Sequence, residues 1–393
     1  MQLMRVWQVV PPEHFLLRIS NQSHMMIRYF IGFLLTMGTA LLTTAQDTGW
    51  SSFRGNPALT GVSKFPLRKA YNLRWTFKMG DATKSSPVLY GNYLYIGCDD
   101  GYIYCLSQSG KLIWKFDTGS TVEAPPLCLN NMVYAGSLEG QFFAIDAKSG
   151  KLKWKFLTDG QISGAANYFF SEKSTLQITI GSYDYAIYCL DANTGKLTWK
   201  YITDNYINGC AANTGKLTVF GGCDGQLHVV DLLKGRLIHK VNMGTYIASS
   251  ASLEGNLGFL GNYDGIFYCV DFIKNEILWS KEGAGPFTGS PAIAGNKVIV
   301  GSQDRKIYCY NKTDGKLLWT RKTLGKIEGS PVVSGNLLAI TSGDGRLYIL
   351  DLNSGKDVWT YEMGQPSVSS PAVVKDMLFV ATSDGSIFAF GPK

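Results

Sequence analysis

Between residues 72 and 393 the chain is written in short apolar runs, each broken by a polar turn. In residues 330–363 the runs read SPVVSG, NLLAITSG, GRLYILDL and KDVWTYEM. Apolar and polar positions alternate within them, and no segment keeps a sustained helical period. The pattern predicts units of four short strands joined by tight turns, and no helix.

Three markers repeat in phase with these units. Trp75, Trp114, Trp154, Trp199, Trp279, Trp319 and Trp359 fall about 40 residues apart, and His239 fills the one vacant slot. The interval from Trp154 to Trp199 carries five extra residues near Ser171–Thr175, as expected of a lengthened hairpin tip. An acidic residue opens a turn eight times: Asp100, Glu139, Asp184, Asp224, Asp264, Asp304, Asp344 and Asp384. Where Gly follows, between two β-rich runs, this is a strong hairpin signal, because a type I′ turn needs positive φ. The third marker is a Gly-Lys turn at Gly110, Gly150, Gly195, Gly315 and Gly355, with Gly235-Arg236 and Asn275-Glu276 as variants.

Four-strand units of this length predict a β-propeller. The last unit has three strands and lacks the tryptophan strand, while residues 72–79 are a tryptophan strand with no partners before it. The expected fold is therefore all-β: an eight-bladed propeller of four-stranded antiparallel blades over 72–393. An N-terminal strand completes the last blade and removes an exposed edge.

The segment before the propeller reads differently. Arg28 precedes YFIGFLLTMGTALLTTA, an apolar run ending in small residues, with Thr43 and Ala45 placed for a cut before Gln46. Residues 25–45 are expected to be a secretory signal, residues 1–24 a mis-assigned extension, and 46–71 a lead-in. The run is short for a membrane span, which needs about 20 apolar residues, and no Cys follows it to carry a lipid. The mature form is thus expected to be exported to the periplasm or envelope without a span. Losing 1–45 removes three arginines and one glutamate and lowers the net charge from +7 to +5. The remaining basic residues are dispersed, which excludes the basic stripe of a nucleic-acid groove.

The stretch LDANTGKLTW, Leu190–Trp199, and its near-copies at Ile145–Trp154, Tyr310–Trp319 and Leu350–Trp359 resemble the pyrroloquinoline-quinone-type (quinoprotein-like) β-propeller repeat family. WSSFRGNPALTGVS, Trp50–Ser63, is similar to the lead-in of bacterial secreted members. The resemblance spans residues 50–393 and implies the fold; its function stays open, because redox enzymes and non-catalytic scaffolds share the repeat. It implies that Trp75, Trp114, Trp154, Trp199, His239, Trp279, Trp319 and Trp359 are structural docking residues packed between neighbouring blades. An indole there buries apolar area and can donate to a backbone carbonyl.

The resemblance also implies pyrroloquinoline quinone and calcium for the enzymes, together with an adjacent Cys-Cys disulfide and long covering loops. This chain has no Cys-Cys dipeptide and nearly minimal blades, so no catalytic, cofactor or metal residue is expected. Of eight cysteines, Cys105, Cys189, Cys269 and Cys309 share one slot that holds Ala144, Val229, Ile349 and Ala389 in other blades. That is a packed interior slot, so free buried thiols are expected. His228 and His239 read as substituted packing residues, and the acidic turn residues, one per blade, are too dispersed for calcium.

What remains is the ring mouth. Lys84, Glu123, Ser163, Asn208, Ala248, Thr288, Glu328 and Val368 precede the inner strands, with Tyr206, Tyr246 and Phe287 nearby. The candidate funnel-binding set is Lys84, Glu123, Asn208, Tyr206, Tyr246, Thr288, Phe287 and Glu328: variable polar and aromatic positions on a rigid frame. The expected function is a non-catalytic envelope scaffold, monomeric, that binds a protein or peptide. A quinone-dependent dehydrogenase and a sugar- or peptide-binding sensor are the alternatives.

Overall fold

The computed structural model describes residues 49–393. The expected extension (1–24) and signal (25–45) lie outside the described residues. Eight four-stranded antiparallel sheets form, each in simple chain order except the last. In chain order, blades 1 to 7 occupy 88–117, 127–157, 167–202, 212–242, 252–282, 292–322 and 332–362. Blade 8 takes three strands from 372–392, and Tyr71–Lys78 pairs antiparallel with Ser386–Pro392 as its fourth. The ring therefore closes with the terminal strand captured, as the repeat count predicts. Among the described residues no helix is long and apolar enough to cross a membrane.

Burial follows position within each blade. The second and third strands are buried along most of their length, because they pack against the next blade on both faces. In blade 1, for example, Tyr95 and Cys105 pack against Cys128, Val133 and Phe143 of blade 2. The fourth strand forms the outer rim and alternates exposed with half-buried residues.

The first strand of each blade turns one edge toward the ring axis, where its N–H groups would lack partners. Residues 50–63 cover that edge in blade order. Leu89 of blade 1 donates to the Trp50 carbonyl and Cys128 of blade 2 to Ser51. Asn167 Nδ2 of blade 3 and the Asn213 N–H of blade 4 both reach Pro57. Leu253, Ile293 and Val333 of blades 5, 6 and 7 donate to Ala58, Thr60 and Gly61, and Ser63 Oγ donates to Val373 of blade 8. The lead-in is thus a strap that reaches all eight blades.

Its anchor is Arg54, 1% exposed, whose Nη1 and Nη2 donate to the Pro331 and Pro291 carbonyls at 2.5 and 2.6 Å. Burial pushes its guanidinium down to about 9. Gly61 faces it: a Cβ there would sit 1.9 Å from Arg54 Nη2, so only glycine lets the strap pass.

Candidate functional site

Each inner strand begins with residues that face the axis. Lys84, Glu123, Ser163, Asn208, Ala248, Thr288, Glu328 and Val368 all line one central cavity of about 320 Å³. Two residues further on, a second tier lines it with Ser86, Pro125, Ala165, Cys210, Ser250, Ser290, Ser330 and Ser370. Phe53 of the strap and Tyr183 complete the wall.

The second tier is also a joint. The N–H of Cys210 donates to Ser250 Oγ, Ser250 to Ser290, Ser290 to Ser330, Ser330 to Ser370, and Ser370 to Ser86, at 2.8–3.2 Å. Each hydroxyl accepts from the preceding blade, so a belt of serines runs from blade 4 through blade 8 to blade 1. It stops at blades 2 and 3, where Pro125 and Ala165 have no hydroxyl.

The charges at the mouth are paired. Lys84 Nζ lies 2.6 Å from Glu123 Oε1, and this hydrogen bond raises the lysine's pKa above its ordinary value. Desolvation, then the Glu123 charge, raises that of Asp99 nearby. Gln303 Nε2 donates to Glu328 Oε1 at 2.7 Å. Asn208 Nδ2 reaches Cys223 Sγ at 3.0 Å, while Asn208 Oδ1 and Thr288 Oγ1 are buried without a hydrogen-bond partner.

The structure thus brings Lys84, Glu123, Asn208, Thr288 and Glu328 around one cavity. The three aromatic residues lie elsewhere. Phe287 is a correction: it is fully buried among Phe259, Phe267 and Tyr308. It precedes Thr288, and neighbouring residues of an extended chain point opposite ways. Val122, Ile162, Ile207, Ile247 and Ile327 fill the same core slot, packed on a glycine of the second strand such as Gly261. Tyr206 does not line the cavity; it is 42% exposed at the mouth and stacks on Tyr183 at 4.9 Å and beside Tyr185 at 5.2 Å. Tyr246 stacks on Tyr263 at 4.3 Å, also outside the cavity.

The tryptophan slots occupy the outer rim. Trp75, Trp114, Trp154, Trp199, Trp279 and Trp319 donate their indole N–H to a carbonyl of the next blade at 2.8–3.1 Å. His239 Nε2 lies 2.7 Å from the Phe272 carbonyl in the same manner. Each of these rings lies against the next blade's turn glycine, and a Cβ at Gly110, Gly150, Gly195, Gly235, Gly315 or Gly355 would fall 2.5–2.8 Å from the ring. Where the ring is the smaller His239, the facing turn holds Asn275 instead of Gly. Trp359 faces the strand arriving from 71–78 and meets Tyr71 edge-on at 5.8 Å.

All eight cysteines are unpaired, seven of them buried and Cys223 half-buried. Burial pushes the Cys105, Cys269 and Cys309 thiols up to about 12, which makes them poor nucleophiles. Asp100, Asp304 and Asp344 accept from a turn N–H and from the tyrosine four residues on (Tyr104, Tyr308, Tyr348). In blade 4 His228 takes that tyrosine's place and lies 2.8 Å from Asp224. These side chains fasten blades.

The residues present do not fit a quinone with calcium. A tricarboxylate quinone calls for cations, and the one lysine of the cavity wall is engaged by Glu123. Calcium needs about six to eight oxygens in one place, and the described residues hold no group of three or more His, Cys, Asp or Glu able to share a metal.

Comparison with known proteins agrees with the architecture. The family described as outer membrane protein assembly factor BamB matches residues 70–176, 223–327 and 263–393. Among solved structures, BamB from Moraxella catarrhalis is 17% identical with a TM-score of 0.70, covering 82% of this chain and 98% of that one. The quinohemoprotein alcohol dehydrogenase of Comamonas testosteroni is 13% identical with a TM-score of 0.73, covering 87% and 80%. The computationally designed Ika8 protein is 18% identical with a TM-score of 0.71, covering 80% and 98%. At such identities the likeness shows the fold alone. No curated protein matches the chain by sequence.

Proposed function

The chain belongs to the family of outer membrane protein assembly factor BamB, and on that premise we propose that it is a non-catalytic binding scaffold of the bacterial cell envelope, serving outer membrane protein assembly. One observation carries the reading: the groups that could do chemistry are spent on the frame. The turn carboxylates hold tyrosines and turns, Lys84 is tied to Glu123, and the interior thiols are held protonated. Variable, unspent surface is left at the mouth, where Tyr206 and Tyr185 are exposed. Rigid frames that present such surface suit recognition of a protein or an extended peptide.

A photo-crosslinking residue at Tyr206 tests this in living cells. The expected result is a discrete crosslink to an outer membrane protein or to a component that assembles one. Two results overturn it: no protein crosslink from Tyr206 or Tyr185, or a saturable thermal shift with pyrroloquinoline quinone and calcium accompanied by alcohol-dependent dye reduction.

A further inference from the structure

The central cavity carries unmet hydrogen-bonding capacity of both kinds, which the scaffold reading does not use. On one side are Ser86, Ser250, Ser290, Ser330 and Ser370, each more than nine-tenths buried. Each oxygen already accepts from the neighbouring blade. Each hydroxyl proton has no acceptor among the described residues. Five polarised donors therefore stand in an arc over blades 5 to 8 and 1.

The tier above supplies acceptors. Glu328 spends one carboxylate oxygen on Gln303 and keeps the other, and the Glu123 carboxylate is shared with Lys84. The opposite arc is different in kind: Pro125 and Ala165 are apolar, Phe53 packs against the cluster that holds Ala165, and the stacked pair Tyr183–Tyr206 rises at the mouth.

These features restrict the occupant. A bare anion would satisfy the serines but would face Glu123 and Glu328. A bare cation would satisfy the carboxylates but leave five hydroxyl protons unused. An apolar ligand would leave both arcs unpaired, at roughly 1–3 kcal/mol for each buried polar group. A neutral polyol with an apolar face meets every condition: its hydroxyls both donate and accept, and its C–H face can rest on an aromatic ring. We propose that the cavity is a saccharide-binding site for a neutral sugar of one or two rings. Its volume lies at the small end of the roughly 300–1,000 Å³ range of small-molecule sites. The serine arc reads the sugar's ring and hydroxyl oxygens, the second carboxylate oxygen of Glu328 takes a hydroxyl proton, and Phe53 and Tyr183 carry its C–H face.

The test is titration calorimetry of the folded protein with maltose, cellobiose, lactose and N,N′-diacetylchitobiose, with glucose 6-phosphate and spermidine as charged controls. At least one neutral disaccharide is expected to bind saturably, and the controls not to bind. Ser163→Trp, which fills the mouth from a position outside the serine belt, should abolish binding. Ser290→Ala should weaken it about fivefold to thirteenfold, the loss of one hydrogen bond of about 1–1.5 kcal/mol. Thermal melts of both variants establish that they are folded. The proposal fails if no neutral sugar binds at tens of millimolar, if either charged control binds more tightly, or if Ser163→Trp stays folded and binds unchanged. None of these results bears on the crosslink at Tyr206, so the scaffold reading stands or falls separately.

Discussion

Blades 5 to 8 and blades 2 to 4 solve the same problem by different means. In the first sector one serine per blade passes a hydrogen bond to its neighbour around the axis. In the second the same positions are Pro125, Ala165 and Cys210, and the joint between blades 3 and 4 is made by buried amides. Asn167 Nδ2 donates to Ala211 at 2.7 Å as well as to the strap, and Asn213 Nδ2 lies 3.2 Å from the Tyr168 carbonyl and 3.3 Å from Thr179 Oγ1. The second sector also holds the inserted residues near 171–175 and the exposed Tyr185 and Tyr206. The family match leaves out 177–222, within blades 3 and 4. A regular sector that repeats itself holds the wheel, and an irregular sector, fastened by its own devices, is free to vary at its surface. That division is what a binding scaffold requires.

The largest test of the contrast is at the rim. Trp319→Ala, in the regular sector and 9% exposed, should cost about 3–5 kcal/mol, the range for a buried Trp. Trp154→Ala, half-buried in the irregular sector, should cost visibly less in the same urea titration. Equal losses would show that burial of the ring does not set what each blade joint contributes. Arg54→Ala comes next, at about 3 kcal/mol for two buried hydrogen bonds from a charged donor. Because the strap touches every blade, amide exchange should rise at Cys128, Asn213, Leu253, Ile293 and Val333 together, in both sectors.

Smaller effects sharpen the joints themselves. Asn167→Ala should cost about 2 kcal/mol, since it removes two hydrogen bonds and leaves the Ala211 carbonyl unmet, against about 1 for Ser290→Ala. If the serine costs more, the belt and not the amide is the stronger seam. The mildest probe is acid at the closing blade. Burial raises the Asp384 carboxyl, but hydrogen bonds from Lys78, Thr382 and Ser386 outweigh it and hold the pKa near 2 instead of 3.8. A depressed carboxylate stabilises above its unfolded pKa. The contribution is whole above about pH 4 and fades as pH falls toward 2, so amide exchange along Tyr71–Lys78 should rise only in that window. Lys78→Met should raise this transition toward the ordinary value.

The wheel could be read from the chain because each blade repeats a local rule. A turn glycine with positive φ and a tryptophan recur together, and the structure gives the reason: the ring rests on the neighbour's glycine. The funnel positions were readable from their slot before each inner strand. Phe287 was misread because one step along an extended chain reverses the side chain, although Ile207, Ile247 and Ile327 mark that slot as apolar. The strap could not be read, since residues 50–63 repeat nothing and their partners lie up to about 300 residues away. The serine belt had a visible sign, Ser250, Ser290, Ser330 and Ser370 at equal spacing. A serine before a strand reads first as a turn residue, and only the curvature of the ring shows it reaching sideways.

The strap also bears on the order of events at birth. Residues 50–63 leave the ribosome ahead of every blade, yet their last partner, Val373, is made about 310 residues later. A truncated chain has nowhere to finish winding this ribbon, and a seven-sheet ring gives it one stop too few. Seating of Ser63 on Val373 is thus a built-in census, completed only when the whole set of sheets has arrived.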